Sequence, residues 1–225
     1  MITIACVYWG TKFSEKYVYN LKSMVERNTT VPHRFVCLSD RGLSGIQTSY
    51  LKPGYTGWWN KLQLFDIERD LGDRIAYLDL DTIITGNIDW FLNYNGNFMG
   101  IEDLGATNSW QPHLKGKLQT GIMAFNRKAV APVWEEFKLW GNFHQQNYRG
   151  DGEYLSDLIK KRDLAQYLYP GQVKSYKYHV YPDKIDNASI ICFHGRPNIE
   201  EAIKETTFTK MATYRPQKWI GEYWY

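Results

Sequence analysis

The sequence predicts one α/β domain in which helices cover both faces of a mostly parallel central sheet. Three observations lead there. Apolar runs of strand length alternate with helix-length runs patterned at three and four residues, an order that builds a layered α/β/α domain. The 225 residues contain no internal repeat, low-complexity tract or linker that would divide them, and a chain of this length can bury one large core. Polar residues able to do chemistry follow directly on the strand-like runs, which is where open α/β sheets bind ligands.

Residues 2–8 are apolar throughout, as in a strand covered on both faces. Ser14 reads as the cap of a helix over 15–27, with Val18, Leu21 and Val25 on one face. His33 to Leu38 and Ile46 to Leu51 read as strands, and Pro53-Gly54 breaks the chain. A helix is expected over 58–70, placing Trp58, Leu62 and Phe65 together. Arg74 to Leu80 is a buried strand that ends in acids, and Thr82 to Thr85 is a further apolar run. Another strand spans 97–101, and a polar loop covers 103–118. A loop that long in a compact domain is usually functional or mobile. Strand 119–126, helices near 129–141 and 152–161, and a strand over 188–193 complete the order.

Composition excludes several classes. A hydrophobic share of 44% with 23% charged residues is a globular balance, not a disordered one. A net charge of +3 is too small for the basic stripe of a nucleic-acid binder, so no nucleic acid is expected. No apolar run approaches the roughly 20 residues of a membrane helix. Cys6, Cys37 and Cys192 fit no zinc spacing and sit in apolar runs; reduced core thiols and a cytoplasmic location are expected. The start of the chain reads as a first strand, not a signal peptide. Aromatic residues reach 16%, which supplies core rings and leaves some to stack on sugar or base faces. The aromatic tail 218–225 either packs on the domain or touches a membrane surface or partner.

The chemistry concentrates at Asp79-Leu80-Asp81. On an extended backbone residues i and i+2 point to the same side, so the two carboxylates converge. Close carboxylates resist joint ionisation unless a cation sits between them. Oxygen ligands suit Mg²⁺ or Mn²⁺. Asp-x-Asp alone is a weak signal, common in turns and caps. Here apolar runs flank it, and charges embedded in them need a partner. His194, between Ile190-Ile191-Cys192-Phe193 and Gly195-Arg196-Pro197, is either a structural histidine at a strand end or a third ligand.

These segments resemble the GT-A glycosyltransferases, in particular the glycogenin-like and lipopolysaccharide galactosyltransferase-like family 8. The matching residues are Tyr77-Leu78-Asp79-Leu80-Asp81-Thr82-Ile83-Ile84-Thr85-Gly86-Asn87-Ile88, Leu118-Gln119-Thr120-Gly121-Ile122-Met123-Ala124-Phe125-Asn126, Gly150-Asp151-Gly152-Glu153 and Phe193-His194-Gly195-Arg196-Pro197. The resemblance implies that Asp79, Asp81 and His194 bind Mn²⁺ or Mg²⁺. It implies a nucleotide-sugar site of Val7, Tyr8, Trp9, Lys61, Leu80, Gln119, Thr120, Gly121, Gly195 and Arg196, with Asp79 and Asp81. Asp151 would touch a donor-sugar hydroxyl and Glu153 would lie beside the reacting centre. The donor implied is UDP-glucose or UDP-galactose, transferred with retention. One domain over 1–225 would then have a nucleotide-binding half at about 1–100, an acceptor-side half at about 101–200 and a tail at about 201–225. Three positions depart from the family pattern. Gly152 stands where a Gln flanks the anomeric carbon, Gln119 replaces Asn, and the His-Gly segment is shorter, with Arg196 in place of a Lys.

Such residues suit glycosyl transfer. A metal and fixed cations such as Lys61 and Arg196 would offset charge on a departing diphosphate. A carboxylate, Asp151 or Glu153, would stabilise the cationic sugar or take the acceptor proton. The bland readings are an N-cap for Asp151 and first-turn placement for Glu153. The 103–118 loop, with Trp110 and Lys115, would be a lid that excludes water or a surface loop; Glu102 and Asp103 at its root would bind acceptor hydroxyls or stay solvated. A sugar nucleotidyltransferase and a non-catalytic carbohydrate-binding protein are the alternative classes.

Overall fold

The structure, a computed structural model, describes residues 1–106, 111–182, 187–209 and 212–225. Its elements run β1 (Ile2–Tyr8), α1 (Lys16–Arg27), β2 (His33–Ser39), β3 (Gln47–Tyr50), a 3₁₀ run over Gly57–Phe65, β4 (Arg74–Leu78), β5 (Thr82–Ile84), α2 (Asp89–Leu92) and β6 (Phe98–Glu102). A short 3₁₀ turn at Pro112–Leu114 precedes β7 (Leu118–Asn126), α3 (Arg127–Asn147), α4 (Asp151–Leu158), β8 (Asp163–Leu164), α5 (Ala165–Leu168) and β9 (Val173–Ser175). A π-helical turn over Tyr176–Val180, β10 (Ile190–Cys192), α6 (Ile199–Lys204), β11 (Thr207–Phe208), β12 (Thr213–Tyr214) and α7 (Ile220–Tyr223) follow.

Seven strands form the main sheet in the order β3-β2-β1-β4-β7-β6-β8. The pairs β3–β2, β2–β1, β1–β4 and β6–β8 are parallel, while β4–β7 and β7–β6 are antiparallel, so the sheet is mostly parallel as expected. Period-two alternation divides its side chains between two cores. Ile4, Cys6, Cys37, Ala76 and Leu78 face α1 and a second sheet. Ala5, Val36, Leu38, Ile75 and Tyr77 face the 3₁₀ run, α3 and α4. The second sheet, β5-β10-β9, pairs β5 antiparallel and β9 parallel to β10.

Some boundaries differ from the sequence pattern. Ser14 lies outside α1, whose cap position is Glu15. Helix α3 runs on past 141 by bending at Trp140, where the backbone leaves helical geometry (φ −122°, ψ 15°). β8, β9 and the turn after β9 carry no periodic signal and exist through long-range pairing.

The aromatic tail packs inward. Trp224 is buried and meets Tyr17 of α1 edge-on at 4.9 Å. Asn20 donates to the Trp224 carbonyl, and Arg27 donates to the carbonyls of Tyr223 and Tyr225. Trp224 is thus spent on the domain, with Trp219 and Tyr223 packed partly against it. Among the described residues, no helix is long and apolar enough to cross one.

The 3₁₀ run ends at a buried acid. Asp66 accepts from Lys52 Nζ at 2.7 Å and from the backbone N–H of Glu68, while its own carbonyl accepts from Arg127. Removing one partner of such a bracket leaves buried donors unpaired. Asp66→Ala is expected to lower stability by about 2 kcal/mol, less than a fully buried pair because Lys52 is half in water. Urea unfolding followed by tryptophan fluorescence measures it.

Candidate active site

The acid pair lies where the chain leaves one sheet for the other. β4 ends at Leu78 in the main sheet, and β5 begins at Thr82 in the second. The connection is pinned at both ends. Asp79 N–H donates to the Gly121 carbonyl of β7 at 2.7 Å, and the Asp81 carbonyl accepts from Phe193 N–H at 2.9 Å. Both acids line one cleft of about 250 Å³, together with Val7, Trp9, Lys12, Trp58, Lys61 and Tyr77. The two acids do share one cleft, but over a turn at Leu80-Asp81 rather than an extended strand, and Leu80 lines the cleft with them.

A 3₁₀ run forms the opposite wall. The sequence suggested an α-helix grouping Trp58, Leu62 and Phe65, and the structure corrects this. With about three residues per turn, side chains at i and i+3 eclipse. Trp59, Leu62 and Phe65 thus share the core face, and Trp59 stacks on Phe137 at 5.5 Å. Asn60 and Gln63 hydrogen-bond to each other on a second face. Trp58 and Lys61 share the third, which is the cleft. Trp58 remains 53% exposed and Trp9 41%, so two flat apolar rings border the cleft.

Lys61 organises the electrostatics. Its buried ammonium lies 3.0 Å from the Asp79 carboxylate, 3.6 Å from Asp151 and 3.3 Å from Thr120 Oγ1. Burial alone would depress its pKa; Asp151 and then Asp79 outweigh burial and raise it. Burial raises the Asp151 carboxyl, against the pull of Lys61 and of Thr120, which donates at 2.6 Å. Asp79 also accepts from the Tyr77 hydroxyl, two residues back on the same face. Burial and then Asp79 raise Asp81 to about 7, against Lys12 and Lys61. Among the described residues no side chain hydrogen-bonds to the Asp81 carboxylate. A half-buried acid beside another acid, without a side-chain donor, fits a divalent cation between the two.

The other expected residues divide into three groups. Val7, Trp9 and Leu80 line the cleft with the acids. Tyr8, expected to meet a base, points to the opposite face by strand alternation and is buried toward α1, with the Arg41 guanidinium over its ring at 5.3 Å. Thr120 and Gly121 support the site through Asp151 and Asp79. Asp151 is the first residue of α4, so Gly150, not Asp151, holds the cap position. Glu153 turns back to Arg149, accepting from its backbone N–H at 2.9 Å, and is not gathered with the acids around Lys61.

His194 and Gln119 line a second cavity of about 300 Å³, with Asp103, Gln111 and Tyr178. His194 Nε2 lies 2.8 Å from Ser175 Oγ. Burial first, then Lys177 and His179, depress its pKa to about 4, so the ring is neutral at pH 7. Among the described residues no three of His, Cys, Asp and Glu cluster as a metal site. The structure thus joins Asp79 with Asp81 and leaves His194 on Ser175. Gly195 takes a left-handed φ of +64° that suits glycine. Arg196 is exposed and held by Glu201 at 2.6 Å, outside both cavities.

Lid and acceptor expectations meet a tied-down loop root. Asp103 N–H donates to Lys117 O at 2.8 Å, and Glu102 accepts from Gly116 N–H at 2.6 Å. Glu102 is thereby committed to the loop, while Asp103 faces the second cavity. Lys115 is exposed, and Trp110 lies outside the described residues.

Sequence reasoning missed Tyr77, Lys12 and Ser175 as neighbours of the site. Period two from Asp79 signals Tyr77. Ser175 has no local signal, since only the β9–β10 pairing brings it to His194.

The architecture is the glycosyltransferase-like GT-A fold, which bears out the expected fold. Solved glycosyltransferases share it. The galactosyltransferase LgtC, in complex with donor and acceptor sugar analogues, matches with a TM-score of 0.64 at 13% identity, over 88% of this chain and 89% of LgtC. The glycosyltransferase GlyE of Streptococcus pneumoniae TIGR4 matches with a TM-score of 0.61 at 13% identity, over 88% of this chain and 56% of GlyE. The bifunctional WbbM matches at 0.58 and 9% identity, over 88% of this chain and 46% of WbbM. No protein-family model matches the sequence, and no curated protein matches it significantly.

Two predictions follow from the geometry. A Cβ on Gly152 would come within 2.6 Å of the Leu118 carbonyl, so α4 packs on β7 too closely for any side chain there. Gly152→Ala should cost about 2 kcal/mol by overpacking, read by thermal unfolding. The second concerns Asp81. Its folded pKa lies above the ordinary 3.8, so the native state binds this proton more tightly than the unfolded chain. Stability therefore falls as pH rises from about 4 to about 7, and the whole penalty is present above that window. Asp81→Asn should raise the melting temperature of the metal-free protein at pH 8 and leave it unchanged at pH 4.

Proposed function

We propose that this chain is a metal-dependent glycosyltransferase that moves a hexose from UDP-glucose or UDP-galactose to an acceptor hydroxyl, with retention. The observation that carries the reading is the cleft at the ends of β1 and β4. There Asp79 and Asp81, a buried lysine and two exposed tryptophans meet in a fold shared with a galactosyltransferase solved with donor and acceptor analogues.

Each side chain has a task in this scheme. The rings of Trp9 and Trp58 offer flat faces to a nucleobase or sugar. Asp79 and Asp81 would hold Mn²⁺ or Mg²⁺; His194 joins them by the family resemblance alone. When bound, that ion supplies positive charge for the departing diphosphate. Lys61 adds a fixed positive charge beside Asp79. Asp151, kept in place by Thr120 and Lys61, is aimed to stabilise the cationic sugar. With Gly152 filling the position of the family's Gln, Asp151 is the acid left near Lys61 to do so. The second cavity, with Asp103, Gln111 and Gln119, offers polar groups for an acceptor. Three free, buried cysteines accord with a reducing compartment, and we place the protein in the cytoplasm on that ground.

Thermal melting with UDP, in the presence and absence of Mn²⁺, tests the reading. Ligand at a hundred times its Kd should stabilise by roughly 2.7 kcal/mol, and only when metal and nucleotide are both present. Preference for nucleoside triphosphates would instead indicate a nucleotidyltransferase. Free-sugar binding without a nucleotide effect would indicate a carbohydrate-binding module. Asp81→Ala should fold and lose metal-dependent hydrolysis of the donor; unchanged turnover would remove Asp81 from the site.

A further inference from the structure

The cation that the His194-Gly195-Arg196 segment was expected to supply is misplaced, since Arg196 is exposed and paired to Glu201. A different lysine sits where one is needed. Lys177 belongs to the π-helical turn Tyr176–Val180 that follows β9. Such turns often mark functional positions. Ser175 anchors this one. Its hydroxyl accepts from Tyr178 N–H at 3.2 Å and meets His194 Nε2 at 2.8 Å, while its N–H donates to His179 Nδ1 at 3.0 Å. The turn is therefore locked to the His194 segment.

The lock brings Lys177 Nζ to 3.6 Å from the point where a Cβ on Gly195 would stand. The ammonium is half-buried, and among the described residues it has no hydrogen bond or ion pair. Burial alone pulls its pKa down, with no acid opposing it. Among the described residues the buried cations Lys61 and Arg127 have partners: Lys61 has Asp79 and Asp151, and Arg127 has the carbonyls of Leu64, Gly72 and Asp66. A desolvated charge without a counter-ion costs stability. An anionic ligand that arrives beside Gly195 would repay that cost.

We propose that Lys177, and not Arg196, binds the diphosphate group of the donor. The assignment rests on the glycosyltransferase reading and gives its leaving group a specific partner on the turn after β9, beside Gly195. Lys177 contacts the ligand by charge and hydrogen bond, and no covalent step is assigned to it.

Titration calorimetry with UDP and with uridine, both in Mn²⁺, tests this on the intact chain and on Lys177→Met, Lys177→Arg and Arg196→Ala. Lys177→Met should weaken UDP about ten- to a hundred-fold, the worth of a charged hydrogen bond, and leave uridine unchanged. Lys177→Arg should restore most of the UDP affinity, and Arg196→Ala should stay near the parent. Without ligand, Lys177→Met should melt at or above the parent, since it removes an unpaired charge. Equal UDP binding by Lys177→Met and the parent overturns the assignment alone. So does equal loss for UDP and uridine, or a loss that follows Arg196 instead. A parent chain that binds no nucleoside diphosphate overturns the glycosyltransferase reading and this assignment with it.

Discussion

The site depends on one crossing of the backbone. Between Leu78 and Thr82 the chain passes from the main sheet to the second, and each end of the crossing is hydrogen-bonded to a different sheet. That constraint holds two carboxylates at a cleft floor where water alone would not keep them together. Like charges in a half-buried place must be compensated. Lys61 does so on the Asp79 side, shared with Asp151, and Asp81 is left without a comparable partner. The cleft is thus electrostatically incomplete in a defined direction. Its deficit is positive charge, which a divalent cation would supply.

Much of this was legible in the sequence, for local reasons. The strands β1, β2, β4 and β7 are apolar runs whose neighbours are set by burial, and they appear close to the expected bounds. Asp79 and Asp81 meet at one cleft across the turn at Leu80, and strand alternation separates Val7 and Trp9 from Tyr8. The failures have equally physical causes. A 3₁₀ run and an α-helix present different faces from the same residues, and nothing local in Gly57–Phe65 decides between them. Glu153 and Arg196 were read from a motif, but each has a nearer partner, Arg149 and Glu201, that tertiary structure selects. Ser175 comes to His194 through a three-residue strand too short to announce itself.

Stability and chemistry pull in opposite directions around the cleft. Asp66 is held by Lys52 and the Glu68 N–H, and Arg127 spends its guanidinium on three carbonyls. Those groups hold the wall. Asp81 and Lys177, by contrast, are charged groups displaced by burial, with no side-chain hydrogen bond to Asp81 and no acid opposing the burial of Lys177. Groups whose pKa values are displaced by burial gather at functional sites for this reason.

The segment Gly57–Phe65 works as a three-sided prism, with one edge in the core, one on the polar bracket of Gln63 and one on the cleft. A residue inserted ahead of Lys61 would rotate it by a third of a turn onto the core face and bring Asn60 to the acids; a deletion would turn it to the polar face and bring Leu62 to them. Length in this stretch is therefore fixed more tightly than composition. Drift can change individual side chains, but it cannot change the count.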